Sequence, residues 1–134
     1  MVSTPDGRNI DLLKGVRVLI VEDDWPVAKA LKSMLEHLGM HLVGTTATTA
    51  QARGLAAAQR PELAIVDINL KQETSWGLIG ELHEQGVQII VISGYAAPPI
   101  SKESVAAFLQ KPFGGSELIT TINRVVASAG KPPE

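Results

Sequence analysis

The chain has 134 residues, of which 45% are hydrophobic and 19% charged, which suits one globular domain with a real core and hardly two. A formal net charge of −2 gives no basis for electrostatic capture of nucleic acid or of an anionic membrane. The absence of cysteine removes disulfides, thiolate metal sites and cysteine nucleophiles, and fits a cytoplasmic protein.

Residues 1–14 read as a polar lead-in with a small apolar patch at Ile10, Leu12 and Leu13. They lack the basic and then apolar pattern of a secretory signal, and no apolar run approaches bilayer length. The domain itself is expected over 15–128, with a tail over 129–134. Its first element is "VRVLIV" (16–21), a β-branched run that reads as a strand and ends in three acids, Glu22, Asp23 and Asp24. In the next segment Val27, Ala28, Leu31, Met34, Leu35 and Leu38 keep the three-and-four spacing of one helix face. Asp24 is the expected N-cap, Pro26 sits in the first turn, and Gly39 stops the helix. "HLVGTT" (41–46) is a second strand, and an alanine-rich helix over 48–59 is followed by Pro61.

"LAIVDI" (63–68) is apolar on both faces and so predicts a central strand. A third helix lies within 75–86, and "VQIIVISG" (87–94) is the fourth strand. Residues 100–107 can form only about two helical turns. "FLQ" (108–110) is a short fifth strand. The last helix covers 115–130, with Ser116 as its expected N-cap and Leu118, Ile119, Ile122, Val125 and Val126 on one face. Five strand–helix units predict an α/β fold: a parallel sheet, doubly wound, with helices on both faces. Ligands of such sheets bind outside the carboxyl ends of the strands. There the chain places Glu22, Asp23 and Asp24 after strand one, Asp67 at the end of strand three, Ser93 and Gly94 at the end of strand four, and Lys111 with Pro112 after strand five.

Four pieces, "LIVEDD", "PELAIVDINL", "IIVISG" and "FLQKPF", taken in order at those strand ends, resemble the receiver domain of bacterial two-component response regulators. The resemblance runs from about Val16 to Ala127. It implies a flavodoxin-like (βα)5 fold of strand order 2-1-3-4-5, with a short or irregular fourth helix. It further implies that Asp67 is the phosphoacceptor. Glu22 and Asp23, with Asp67 and the backbone carbonyl of Asn69, would hold Mg2+ or Mn2+. Ser93, Gly94 and Lys111 would bind the phosphoryl group, with Ser93, Tyr95 and Phe108 as switch residues and a cis peptide before Pro112. The chemistry is consistent with these residue types. Phosphoryl transfer depends on positioning and on neutralising spread negative charge. Mg2+ prefers oxygen ligands, and a lysine supplies a mobile point charge.

Several features depart from the family. In "DINLKQETSWG" Lys71 stands where most receivers have proline, and Gly77 comes late, so a longer loop is expected beside the pocket. Pro98 and Pro99 shorten the fourth helix. "SGY" (93–95) is similar to a subgroup of receivers, many of them stand-alone, with Thr-Gly-Tyr there, and Tyr95 could shield the acyl phosphate from water. Phe108 replaces a common tyrosine. Trp25 either lies over the pocket mouth or covers the helix start, and Trp76 is expected as packing or loop cover. His37, His41 and His83 are expected on the surface without chemistry.

The resemblance implies a signalling domain rather than an enzyme, with at most self-catalysed phosphotransfer and autodephosphorylation. Its partners would be a sensor histidine kinase or histidine phosphotransfer protein, and a downstream protein reached through the helix 4–strand 5–helix 5 face. A homodimer is left open, and direct nucleic-acid and membrane contacts are not expected. The chain's Met start and short tail fit a stand-alone regulator; a receiver cut from a hybrid kinase has the same pattern. A pseudo-receiver that works without phosphorylation is the alternative. A phosphatase is disfavoured because Asn69 stands where such enzymes commonly carry a second acid.

Overall fold

A computed structural model describes residues 12–94 and 104–129. Five parallel strands form one sheet: β1 (Arg17–Val21), β2 (His41–Thr46), β3 (Leu63–Asp67), β6 (Gln88–Ser93) and β7 (Ala107–Gln110), in the order β2-β1-β3-β6-β7. A separate two-stranded hairpin, β4 (Asn69–Leu70) and β5 (Glu73–Thr74), lies between β3 and the following helix. With the hairpin set aside, the strand order is the expected 2-1-3-4-5. The helices are α1 (Trp25–His37), α2 (Thr49–Gln59), α3 (Trp76–Glu84) and α4 (Gly115–Ala129).

Side chains of a strand alternate between faces, and here both faces are buried. Val18 and Ile20 of β1, Leu63 and Ile65 of β3, and Ile90 and Ile92 of β6 pack against Leu31 and Leu35 of α1 and Leu118, Ile122 and Val125 of α4. Their neighbours Leu19, Val21, Ala64, Val66, Ile89 and Val91 pack against Ala52 and Ala56 of α2 and Leu78, Ile79 and Leu82 of α3. Burial on both faces explains why β1, β3 and β6 read as unbroken apolar runs. It also leaves polar side chains nowhere to go except the strand ends.

Three local expectations are corrected. Asp24 occupies the N-cap position of α1, but its side chain makes no capping hydrogen bond. An N-cap side chain normally accepts from the second or third helical N–H, and the second residue here is Pro26, which has none. The first regular bond of the helix still starts from this position, the Ala28 N–H donating to the Asp24 carbonyl at 2.9 Å. Ser116 lies inside α4 rather than before it, because the Leu118 N–H already donates to the Gly114 carbonyl at 3.1 Å. Of the short helix expected over 100–107, Ser104–Ala106 form a turn and bend, and Ala107 opens β7. The Ala106 N–H donates to the Ile89 carbonyl at 2.8 Å, so the backbone is already drawn towards the sheet. The rest of that segment, with Pro98, Pro99 and Tyr95, lies outside the described residues, as do 1–11 and 130–134.

Gly39 does end α1, at φ +82, a conformation that favours glycine. His37, His41 and His83 are exposed. No helix among the described residues is long and apolar enough to cross a membrane.

Candidate functional site

Each strand of the sheet's middle delivers a polar residue to the same end. Glu22 directly follows β1, and its N–H donates to the Thr46 carbonyl at 2.9 Å, carrying the β1–β2 pairing one step further. Asp67 is the last residue of β3 and Ser93 the last of β6. Lys111 follows β7, its N–H donating to the Ser93 carbonyl at 2.7 Å, and the Lys111–Pro112 peptide is cis.

Glu22 and Asp67 are 2% and 5% exposed, a degree of burial that carboxylates tolerate only when paired. The partner is Lys111. Its Nζ donates to Glu22 Oε1 at 2.6 Å and to Asp67 Oδ2 at 2.9 Å. The remaining carboxylate oxygens are also engaged. Glu22 Oε2 accepts from the Asp24 N–H at 3.3 Å, and Asp67 Oδ1 accepts from the Asn69 N–H at 3.1 Å. Half-buried Asp23 accepts from the Lys71 N–H through Oδ2. One ligand oxygen each from Glu22, Asp23 and Asp67 lies within 4.8 Å of the others.

One ammonium does not neutralise three carboxylates. Burial, and then the neighbouring Asp67 carboxylate, raise the Glu22 pKa from 4.5 to about 7, against the opposing pull of Lys111. Burial alone would lower the Lys111 pKa. The hydrogen bonds and charges of Glu22 and Asp67 together outweigh it, and the net displacement is upward. The cluster is thus short of positive charge. An all-oxygen donor set with this spacing fits a hard divalent cation such as Mg2+.

Asp23, Asp67 and Lys111 open onto a cavity of about 570 Å3 that is also lined by Trp25, Asn69 and Gly94, among others. Gly94 has open space where a Cβ would stand. Trp25 therefore borders the cavity mouth. It is 69% exposed, and Lys29 Nζ sits 5.0 Å from the centre of its ring. Ser93 is buried at the end of β6. Phe108 stands apart from the cavity, half-buried on the sheet face that carries α2 and α3. Trp76 opens α3 and is 37% exposed.

Two contributors were not visible in the sequence. Ser75 is fully buried, and its hydroxyl donates to the Asp67 backbone carbonyl at 2.6 Å while its N–H donates to the Ile68 carbonyl at 2.9 Å. The "NLKQET" segment, expected only as a long loop, forms the β4–β5 hairpin, whose N–H groups reach both Asp23 and Asp67. A serine before a helix reads as an N-cap, and nothing in its spacing reveals that its hydroxyl turns back to β3.

A five-stranded, doubly wound parallel sheet of this strand order, with acids and a lysine at its carboxyl edge, defines a flavodoxin-like α/β domain. Within it, residues 18–123 match the response regulator receiver domain, and the chain belongs to that family. It is 28% identical over 123 residues to the photosynthetic apparatus regulatory protein RegA of Cereibacter sphaeroides, covering 87% of this chain and 66% of RegA. It superposes on the receiver domain of the PhyR response regulator of Erythrobacter litoralis with a TM-score of 0.78 and 26% identity, covering 90% of this chain and 97% of that one. The response regulator TrrA of Thermotoga maritima, solved in complex with Mg(2+)-BeF, has the same fold, with a TM-score of 0.73 at 21% identity over 81% of this chain and 97% of that one. The chain spans 66% and 57% of the length of the curated relatives RegA and PdtaR of Mycobacterium tuberculosis.

Proposed function

We propose that this receiver accepts a phosphoryl group on Asp67 and signals through the resulting change of its surface. The observation that carries this reading is the placement of Asp67. It is a buried carboxylate at the end of the central strand, in contact with Lys111 Nζ at 2.9 Å and grouped with two further acids. An Asp67 oxygen attacks the phosphorus of a phosphohistidine or of acetyl phosphate. An O–P bond forms, and the donor's N–P or O–P bond breaks, its electron pair leaving with the imidazole or the acetate. The burden on the protein is to bring two anions together.

Glu22, Asp23 and Asp67, with the Asn69 carbonyl, would hold Mg2+ or Mn2+, which supplies charge neutralisation for the incoming phosphate. The bound Mg(2+)-BeF of TrrA supports this choice. Lys111 would turn from Glu22 and Asp67 to a phosphoryl oxygen, and Ser93 and Gly94 would border the phosphoryl group from the β6 end. Tyr95 and Phe108 remain the proposed switch residues. The donor would be a sensor histidine kinase or a histidine phosphotransfer protein. An apolar groove of about 580 Å3 between α1 and the start of α4, lined by Pro26, Val27, Met34 and Phe113, shares Pro26 and Lys111 with the acid cavity. A donor protein could cover that groove while reaching Asp67. Output would pass through the β7–α4 edge to a downstream protein.

Intact-mass measurement after incubation with acetyl phosphate and Mg2+ tests the reading. One phosphoryl adduct is expected in the wild type and none after chelation of the metal. No adduct under any condition, including with a cognate kinase, would make the domain a phosphorylation-independent interaction module.

A further inference from the structure

The hairpin that replaces the usual loop after Asp67 is fastened at two ends. On the site side, the Asn69 N–H donates to Asp67 Oδ1 at 3.1 Å and the Lys71 N–H to Asp23 Oδ2. On the other side, both carboxylate oxygens of Glu73 are taken by the first residue of α2. The Thr49 N–H donates to Oε2 at 3.0 Å, and the Thr49 hydroxyl donates to Oε1 at 2.5 Å. Thr49 Oγ1 also accepts from Arg53 Nη1 at 3.2 Å, and Arg53 Nε donates to Glu81 of α3 at 2.5 Å. A carboxylate on the N-terminus of an 11-residue helix meets unpaired N–H groups and the positive end of the helix dipole.

Strands of two residues cannot hold their own geometry, since isolated hairpins are marginal even when much longer. The position of the Asn69 and Lys71 N–H groups must therefore be set by what the hairpin is tied to. Ser75 ties its far end to β3. Glu73 ties its middle to α2, a rigid element packed on the sheet through Ala52 and Ala56.

We propose that Glu73 is a positioning residue for the acid site: by anchoring the β4–β5 hairpin to the N-terminus of α2, it holds the Asn69 and Lys71 N–H groups against Asp67 and Asp23 and so fixes the spacing of the carboxylates. This rests on the phosphoacceptor reading above for its purpose, though not for its geometry. A cation on the acids and the Glu73–Thr49 contact then stabilise one another, because coupling between two sites is reciprocal. Glu73 itself does not line the acid cavity. The alternative is that Glu73 caps α2 and nothing more.

Two variants separate these. Glu73→Gln weakens the anchor and removes a charge; Thr49→Ala removes the anchoring hydroxyl with no change of charge. Each is compared with the wild type by amide hydrogen exchange at Asn69 and Lys71 without metal, and by calorimetric Mg2+ titration at about 0.15 M and about 1 M salt, where the screening length falls from about 8 Å to about 3 Å. Positioning predicts faster exchange at both amides and Mg2+ binding weakened by roughly fivefold at either salt concentration. Unchanged exchange and affinity, with only a lowered melting temperature, would overturn the proposal and leave Glu73 as a helix cap. A weakening that vanishes at high salt, or that is absent in Thr49→Ala, would reduce it to long-range charge and overturn it as well. If the wild type binds no Mg2+, the phosphoacceptor reading fails, and the exchange measurement alone still decides whether Glu73 holds the hairpin.

Discussion

Glu22→Gln is expected to stabilise the metal-free protein at alkaline pH and to leave it unchanged in mild acid. In the folded chain the Glu22 pKa is raised from 4.5 to about 7, with burial the main cause. A raised carboxyl pKa means that the folded state binds the proton more tightly than the unfolded state. The stability this confers is fully present below about pH 4.5 and is lost as pH rises to about 7 and beyond. At about 1.4 kcal/mol per pH unit, the interval amounts to about 3 kcal/mol at pH 8. Gln keeps the shape and an oxygen for Lys111 Nζ, which remains paired with Asp67 at 2.9 Å. It places an amide where Oε2 accepts the Asp24 N–H at 3.3 Å, and that lost hydrogen bond costs about 1 kcal/mol. The net gain is about 2 kcal/mol at pH 8, or a rise of roughly 8 °C in melting temperature for a domain of this size, falling to zero or slightly below near pH 5. Thermal unfolding in chelator at pH 5 and pH 8 measures it. A variant that melts lower than the wild type at pH 8 would refute the reasoning, because Glu22 would then be a required counter-ion for Lys111 rather than surplus charge.

Lys111→Ala should destabilise the metal-free protein by about 3 kcal/mol, since it strips the cation from two buried acids; chemical denaturation at neutral pH reads this, and an unchanged midpoint would mean that the lysine is free to leave. Mg2+ affinity should climb between about pH 6 and about pH 8, because the cation displaces the Glu22 proton; a flat calorimetric profile would exclude Glu22 from the site. Ser75→Ala, which orphans the buried Asp67 carbonyl, should cost about 1–2 kcal/mol and slow modification by acetyl phosphate, and equal rates would make Ser75 purely structural. Gly44→Ala should cost no more than about 1 kcal/mol, because its new Cβ would stand 2.1 Å from Leu55 Cδ2, the tip of a half-buried side chain that can change rotamer, while modification by acetyl phosphate stays at the wild-type rate; a larger loss in chemical denaturation would mean that Leu55 cannot move.

The sheet was legible because each strand is short, apolar on both faces and bounded by turn residues. The grouping at the candidate site followed from the same logic, since Glu22, Asp23, Asp67 and Lys111 are polar residues placed where those runs end. What could not be read depends on contacts between distant segments. The β4–β5 strands are too short to carry a period-2 pattern, and Glu73 matters only because α2 begins at Thr49 beside it. Asp24 shows the limit of propensity: the residue type suits a cap, but Pro26 removes a target N–H. The Lys111 ammonium was expected chiefly as a phosphoryl contact. In the structure it is the counter-ion of Glu22 and Asp67, a role that a lysine before proline does not announce.

Trapping the acyl phosphate with borohydride after treatment with acetyl phosphate and Mg2+ tests the central claim most directly. Reduction converts a phosphorylated aspartate to homoserine, and peptide mass spectrometry locates it. Homoserine at position 67, absent when Mg2+ is chelated, is the predicted result. Homoserine at another position, or none in protein that mass measurement shows to be phosphorylated, would contradict Asp67 as the acceptor.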